Sequence, residues 1–166
     1  MVDQLNAKQL AELFRQLGAK EPEQWADSQI EEGIPQLARF LFLKLAWQTA
    51  ISPNDSSWIE AEIGEAATSG PRMSTGAILA RMRAKGILDD EIIELVRQMQ
   101  YRTMFGLLEL LEDPRTDSLG SPIAAEITWA LCQIHPDGQT VVGVIDGMHE
   151  DALTMDPTGR EMRPQA

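Results

Sequence analysis

The chain has 166 residues, of which 43% are hydrophobic and 24% charged, a composition typical of a folded globular protein rather than a disordered one. Its formal net charge of −12, from 26 acidic against 14 basic residues, argues against direct binding to nucleic acid or to an anionic membrane surface. We expect a single domain spanning residues 1–166, which is long enough to bury a core.

Cysteine content and hydropathy favour a cytoplasmic protein. Cys132 is the one cysteine, so the chain forms no intrachain disulfide, and its apolar surroundings indicate an inert thiol. The N-terminus has no apolar run of the kind that a secretory signal needs. The most hydrophobic stretch, residues 37–51, contains Arg39 and Lys44 and is too short to cross a bilayer.

Helical spacing of apolar residues begins near the N-terminus and predicts three helices in the first 50 residues. The first covers residues 4–17, and Gly18 follows it as a terminating glycine. Pro22 starts the second, and Pro35 opens a third that reaches about Ala50. Apolar residues cover most of the circumference of the third helix, which predicts that it is the central core helix.

Three further helices are predicted before residue 114. The turn cluster at 52–57 supplies a cap for a short acidic helix that ends near Ala67. Ser74 or Thr75 caps the next helix, which ends at Gly86. The longest helix covers about 90–112, because its apolar residues keep a spacing of three and four throughout and Asp113-Pro114 closes it.

Two turns of similar chemistry mark the last quarter of the chain, His135-Pro-Asp-Gly138 and Asp156-Pro-Thr-Gly159. Pro at the second position and Gly at the fourth are typical of hairpin loops, which predicts strands at 140–145 and 152–155. Residues 122–134 fit both a helix and a strand; we favour a brief helical turn followed by a strand from about Ile127.

The predicted fold class is therefore α+β. An N-terminal helical body of five to six helices occupies residues 1–114 and a polar connector 115–121. A three- to four-stranded antiparallel β-meander over 122–163 packs on the helices.

Acidic residues concentrate in two of the predicted helices, with five carboxylates at 21–32, four at 55–65 and no basic residue in either window. If both helices lie on one side of the core, they form a continuous acidic face beside two tryptophans, the arrangement of aromatic anchors within a charged rim that protein-binding surfaces use. The alternative is that both tryptophans are core residues and the acids are the solvated backs of their helices. The predicted partner-binding residues are Glu21, Glu23, Trp25, Asp27, Glu31, Glu32, Trp58, Glu60 and Glu62.

A second candidate site lies in the segment 146–151, where Asp146, His149, Glu150 and Asp151 supply oxygen and nitrogen ligands suited to a divalent metal. The alternative is a solvated polar turn. His135 is a poor partner for His149, because loops at opposite ends of one strand lie about 20 Å apart.

Basic residues concentrate only at Arg72, Arg81, Arg83 and Lys85. They suit an acidic ligand or a phosphate, or alternatively balance the acids that begin at Asp89. No nucleophile motif, phosphate-binding loop or zinc-ligand spacing occurs in the chain, and we expect no cofactor.

These features favour a non-enzymatic protein-binding module that uses an acidic surface against a basic protein partner. An inhibitor or immunity-type protein that neutralises a cationic enzyme, such as a nuclease, fits the size and charge. The alternatives are a small enzyme or metal-binding protein centred on 146–151, and a homo-oligomeric structural protein such as a homodimer.

Overall fold

The computed structural model of the chain describes residues 5–69 and 75–163. Within these residues the fold consists of seven α-helices and one two-stranded antiparallel sheet. The helices are α1 (Ala7–Gln16), α2 (Pro22–Glu32), α3 (Gln36–Gln48), α4 (Ser57–Ser69), α5 (Thr75–Ala84), α6 (Asp89–Glu112) and α7 (Met148–Ala152). The strands are β1 (Cys132–Ile134) and β2 (Val141–Val144).

Six helices form in the predicted order, and the first begins at Ala7 instead of residue 4. Asn6 caps α1 with its side-chain oxygen, which accepts from the Gln9 amide at 3.0 Å, and the Gln9 side chain accepts in return from the Asn6 amide. Pro22 is the first residue of α2, and Gly33 ends it with a φ of +71°. None of the helices in the described residues is both long and apolar enough to cross a bilayer.

The first predicted turn does join two strands. Gly138 has a φ of +74° and its amide donates to the His135 carbonyl oxygen at 2.9 Å, which closes the loop between β1 and β2. Asp137 reinforces the loop by accepting from the Gln139 and Thr140 amides at 2.8 and 2.9 Å. Hydrogen bonds from the Thr140 and Gln139 amides hold the pKa of Asp137 at about 2.

The expected three- to four-stranded meander over 122–163 is not what the described residues form. Residues 124–126 make a short helical turn, as expected, but β1 begins at Cys132 rather than near Ile127. The segment 152–155, predicted as a strand, is the end of α7 and a turn. The Asp156–Gly159 turn does form, with Gly159 at a φ of +69°, but it joins no strands.

Tertiary contacts explain why the segment after β2 is helical. The Glu112 carboxylate, at the end of α6, accepts hydrogen bonds from the amides of Met148 and His149 at 2.5 and 3.2 Å. It thereby satisfies amides at the start of α7, which no neighbouring turn of helix satisfies. Gly147, with a φ of +64°, turns the chain from β2 into this helix.

Buried apolar side chains form three clusters, and α3 contributes to two of them. Leu37 and Phe40 pack with α1 and α2 in the first cluster. Leu43 packs in the second with Leu108 of α6 and Met148 of α7. The third cluster joins α4, α5 and α6 through Ile59, Leu79, Ile92 and Ile93. Helix α3 therefore has the central position that its apolar circumference predicts.

A buried ion pair fastens the C-terminal segment to α6. Arg97 Nη2 lies 3.1 Å from Asp156 Oδ1, and the two side chains are only 4% and 1% exposed. Asp156 also accepts from the Thr158 hydroxyl and the Met162 amide, while Arg97 donates to the carbonyl oxygen of Ile51. With these bonds both charges are compensated, as buried charges must be.

Removing one member of this pair is expected to destabilise the protein strongly. Asp156→Asn leaves the Arg97 guanidinium buried without a counter-charge, so we expect the free energy of unfolding at pH 7 to fall by about 3–5 kcal/mol. Urea unfolding followed by tryptophan fluorescence measures the change. Asp146→Asn, which alters an exposed carboxylate, is the matched control and should change stability little.

The same variant predicts a pH dependence. Burial raises the pKa of Asp156, but hydrogen bonds from Thr158 and Met162, together with Arg97, outweigh it and hold that pKa below its ordinary value. The stabilisation is therefore complete above about pH 4, where the unfolded carboxyl is also ionised, and is lost as pH falls through the lowered pKa. A stability difference between the wild-type chain and Asp156→Asn that stays constant from pH 7 to pH 2 would contradict this assignment.

Close packing of α4 against α5 depends on Gly76. A Cβ atom at this position would overlap the backbone carbonyl of Glu62 and lie 2.9 Å from the Ala66 Cβ. Backbone atoms yield less easily than the end of a flexible side chain, so the helix axes would have to separate.

Two glycine substitutions should therefore act in opposite directions. Gly76→Ala is expected to lower the free energy of unfolding by about 1–3 kcal/mol through overpacking. Gly106→Ala, in the interior of α6 with nothing within 4 Å of its added Cβ, should raise it by about 0.5–1 kcal/mol. Urea denaturation of both variants tests the pair; equal effects would show that the α4–α5 contact is looser than described.

Candidate functional site: an acidic groove

Carboxylates from two distant parts of the chain meet in one groove of about 710 Å³ between α2 and α7. We call this the acidic groove and define it by six residues: Glu21, Asp27, Glu31, Glu32, Glu150 and Asp151. Arg39 is the basic residue in its wall. Six carboxylates against one guanidinium leave a strong negative field in a concave surface, which attracts cations.

Helical spacing places the α2 residues of the groove on one side of that helix. Glu21, Trp25, Ser28 and Glu32 follow one another at intervals of four, three and four residues, and all of them line the groove. Pro22 and Ala26, on another side of α2, are buried, and Ala26 packs in the first cluster. The helix is thus amphipathic, and its polar side forms one wall.

The second wall is brought into place by Arg39 of α3. Its guanidinium lies 2.6 Å from Asp151 and 3.8 Å from Glu150, and it donates to the carbonyl oxygen of Gly147. The Arg39 side chain is only 9% exposed, so these contacts replace water around the charge. A Cβ atom at Gly147 would come within 2.9 Å of the guanidinium carbon, so this turn requires glycine for space as well as for its positive φ.

Asp151 is the carboxylate of the groove whose protonation is altered. Burial raises its pKa above the ordinary aspartate value, the Arg39 charge opposes that effect, and the neighbouring Glu150 adds to it. Since the net direction is upward, Arg39 does not fully compensate this carboxylate. A further cation in the groove would favour the ionised form of Asp151 and lower its pKa.

Trp25 forms a fixed edge of the groove and is at the same time a core residue. It is half-buried, stacks on Phe14 with ring centroids 5.8 Å apart, and meets Phe40 edge-on at 5.4 Å. The Arg39 guanidinium lies 6.0 Å from the centre of its ring. This packing agrees with the interpretation of Trp25 as a core residue, and its role as a partner anchor stays a prediction.

Several predicted partner-binding residues lie elsewhere. Glu23 pairs with Arg15 of α1, and Glu60 pairs with Arg83 of α5. Trp58 packs against the third cluster, and its indole N–H is buried without a hydrogen-bond partner among the described residues. Trp58, Glu60 and Glu62 do not line the groove, so α4 is not part of this site.

The residues proposed as metal ligands are separated by their other contacts. His149 Nδ1 bonds to the Glu112 carboxylate and Asp151 pairs with Arg39, while Asp146 is exposed. Across residues 5–69 and 75–163, no three His, Cys, Asp or Glu side chains are grouped as a metal ion would need. His149 and Asp151, close in sequence, thus contact different helices, α6 and α3, and the residue spacing alone does not predict this.

Arg83, one of the four basic residues that the sequence groups together, is occupied by ion pairs. Arg83 binds Asp89 through two hydrogen bonds of 2.8 and 2.7 Å and also pairs with Glu60. These contacts agree with the charge-balancing interpretation of Arg83. Arg72 and Ser74, which also entered the sequence predictions, lie outside the described residues.

Sequence reasoning missed three residues that shape the groove and α7. Arg39 and Gln36 are buried polar residues of α3, and Glu112 holds the start of α7. Gln36 donates to the Ser28 hydroxyl at 2.8 Å, but its Oε1 is buried with no hydrogen-bond partner in the described part of the chain. Arg39, a charged residue among the apolar residues of a helix predicted to be central, was the available signal, because a buried guanidinium needs carboxylate or carbonyl partners.

An apolar groove runs along α6, where Leu95, Met99 and Leu107 are each more than half exposed. Such a surface is compatible with the homo-oligomer that the sequence left open. The homodimer stays a prediction.

No protein-family model matches this chain, and no match to it was found among curated protein sequences or among solved structures. What the chain binds is therefore inferred from the residues of the groove.

Proposed function

We propose that this chain is a non-enzymatic protein-binding module whose acidic groove receives a basic segment of a partner protein. The observation that supports the proposal is the convergence of α2 and α7 carboxylates around one concave surface. A convex acidic surface would serve solubility equally well, whereas a groove lined on both sides with one sign of charge concentrates the field on a ligand.

The groove has chemistry suited to lysine or arginine side chains. Four carboxylates on α2 or directly before it, Glu21, Asp27, Glu31 and Glu32, have no ion pair to a basic residue among the described residues. Glu23 is paired with Arg15. Carboxylates are hydrogen-bond acceptors, and lysine and arginine side chains supply only donors. Trp25 adds an aromatic edge along which an aliphatic stem can lie.

The partner class follows from the charge of the whole chain. A net charge of −12 speeds encounter with a cationic protein and repels acidic ones. An inhibitor or immunity-type protein that blocks a cationic enzyme is the form of this function that we favour, because such a protein acts by covering a basic surface and requires no catalytic group of its own.

Neutralising the groove should weaken binding of a basic peptide. The probe is a fluorescently labelled 12-residue peptide of alternating lysine and serine, titrated at constant ionic strength and followed by anisotropy. We expect the triple variant Asp27→Asn, Glu31→Gln, Glu32→Gln to bind it roughly tenfold more weakly, since each exposed ion pair contributes about 0.2–1 kcal/mol.

The matched control removes the same number of charges from α4, as Glu60→Gln, Glu62→Gln and Glu65→Gln. Because α4 does not line the groove, the control should lower affinity less than twofold through the overall field alone. Equal weakening by the two triple variants would show that binding follows net charge, and the groove would then have no specific role.

A further inference from the structure

A second cavity, of about 480 Å³, adjoins the acidic groove and shares Glu21, Trp25 and Thr154 with it. We call it the aromatic cavity and define it by Trp25, Phe40, Trp47, Lys20 and Lys44. Phe40 and Trp47 are 4% and 3% exposed and belong to the packed interior. Its size and its aromatic lining with a few polar groups are typical of sites for small organic molecules.

Two lysines supply the polar groups of the cavity. Lys20 Nζ donates to the Thr154 carbonyl oxygen at 3.1 Å, and Lys44 Nζ donates to the carbonyl oxygen of Leu17. Carbonyl groups orient the ammonium groups without neutralising them, and within the described residues neither lysine pairs with a carboxylate. An ammonium group has three N–H donors, so each lysine keeps donors for a ligand.

Carboxylates that line the cavity do not cancel this charge. Asp156 is committed to Arg97, Thr158 and Met162, and Glu161 lies 2.7 Å from Arg163. Glu21 is exposed, at the boundary with the acidic groove. Once Asp156 and Glu161 are paired with their arginines, two lysines face one carboxylate, Glu21, so the lining keeps a small excess of positive charge in a strongly acidic chain.

The geometry points to a binding site for a small aromatic carboxylate in this cavity, next to the acidic groove. Its ring would pack against Phe40, Trp25 and Trp47, and its carboxylate would accept charge-assisted hydrogen bonds from Lys20 and Lys44. A neutral or cationic ligand of the same shape would leave both ammonium groups without an anion.

Three ligands with one ring system test this site in the full chain: indole-3-acetate, its neutral amide and the amine tryptamine. Isothermal titration calorimetry at pH 7.5 is expected to show the acid binding at least tenfold more tightly than the other two, because only the acid accepts charge-assisted hydrogen bonds. Equal affinity for acid and amide, tighter binding of the amine, or no binding of the acid at millimolar concentration would overturn the assignment.

Lysine variants test whether the acid binds in the aromatic cavity. Lys20→Met keeps the length of an exposed side chain and is expected to weaken the acid at least fivefold while leaving the amide unchanged. Lys85→Met, which changes an exposed lysine in the turn directly after α5, is the control and should change neither. If Lys20→Met and Lys85→Met behave alike with all three ligands, the lysine of the cavity does not contact the carboxylate and the proposal fails. Binding of the lysine–serine peptide is independent of this result, so the two proposals fail separately.

Discussion

The buried pair of Arg97 and Asp156 is the interaction on which the segment after β2 depends. Residues after β2 contain few large apolar side chains, so hydrophobic burial alone would hold them weakly. The ion pair, together with the bond from the Gln98 side chain to the Met162 carbonyl oxygen at 2.7 Å, fixes the chain end against α6. With its end fixed, the segment is held along α3 and α6.

Polar contacts of α3 and α6 then determine the shape of that segment. Trp47 donates its indole N–H to the Ala152 carbonyl oxygen at 2.8 Å, and Glu112 satisfies the first amides of α7. Arg39 draws Asp151 towards α2. Each interaction is polar and buried or partly buried, so each is costly to leave unmade and specifies one arrangement. The acidic groove and the aromatic cavity are the two surfaces that this arrangement creates.

The helices and the first hairpin were predictable because their signals are local. Pro22 and Gly33 act on the backbone within a few residues, and the Pro136–Gly138 turn carries its own geometry. The Asn6 cap, which sets the start of α1 at Ala7, was not used as a signal. The second turn shows the limit of such signals. Asp156–Gly159 has the predicted conformation, but whether a turn joins two strands depends on what its neighbours contact, and Asp156 contacts Arg97.

The site was predictable only in part, for the same reason. The acidic side of α2 follows from helical spacing, so six of the predicted partner residues lie at 21–32, and five of them line the groove. The second wall of the groove, formed by α7, does not follow from helical spacing, because Arg39 and Gly147, whose contact positions it, are 108 positions apart in the chain. The sequence also placed α4 at this site, but α4 packs on α5 through Gly76 and contributes no residue to the groove.

The central claim is that α2 and α7 form one cation-binding surface, and chemical-shift mapping tests it most directly. In a nitrogen-15-labelled sample titrated with the lysine–serine peptide, the account predicts that amide shifts move together at 21–32 and at 150–154, with a common affinity. Shifts confined to 57–65, or small shifts spread evenly over the acidic residues, would contradict it.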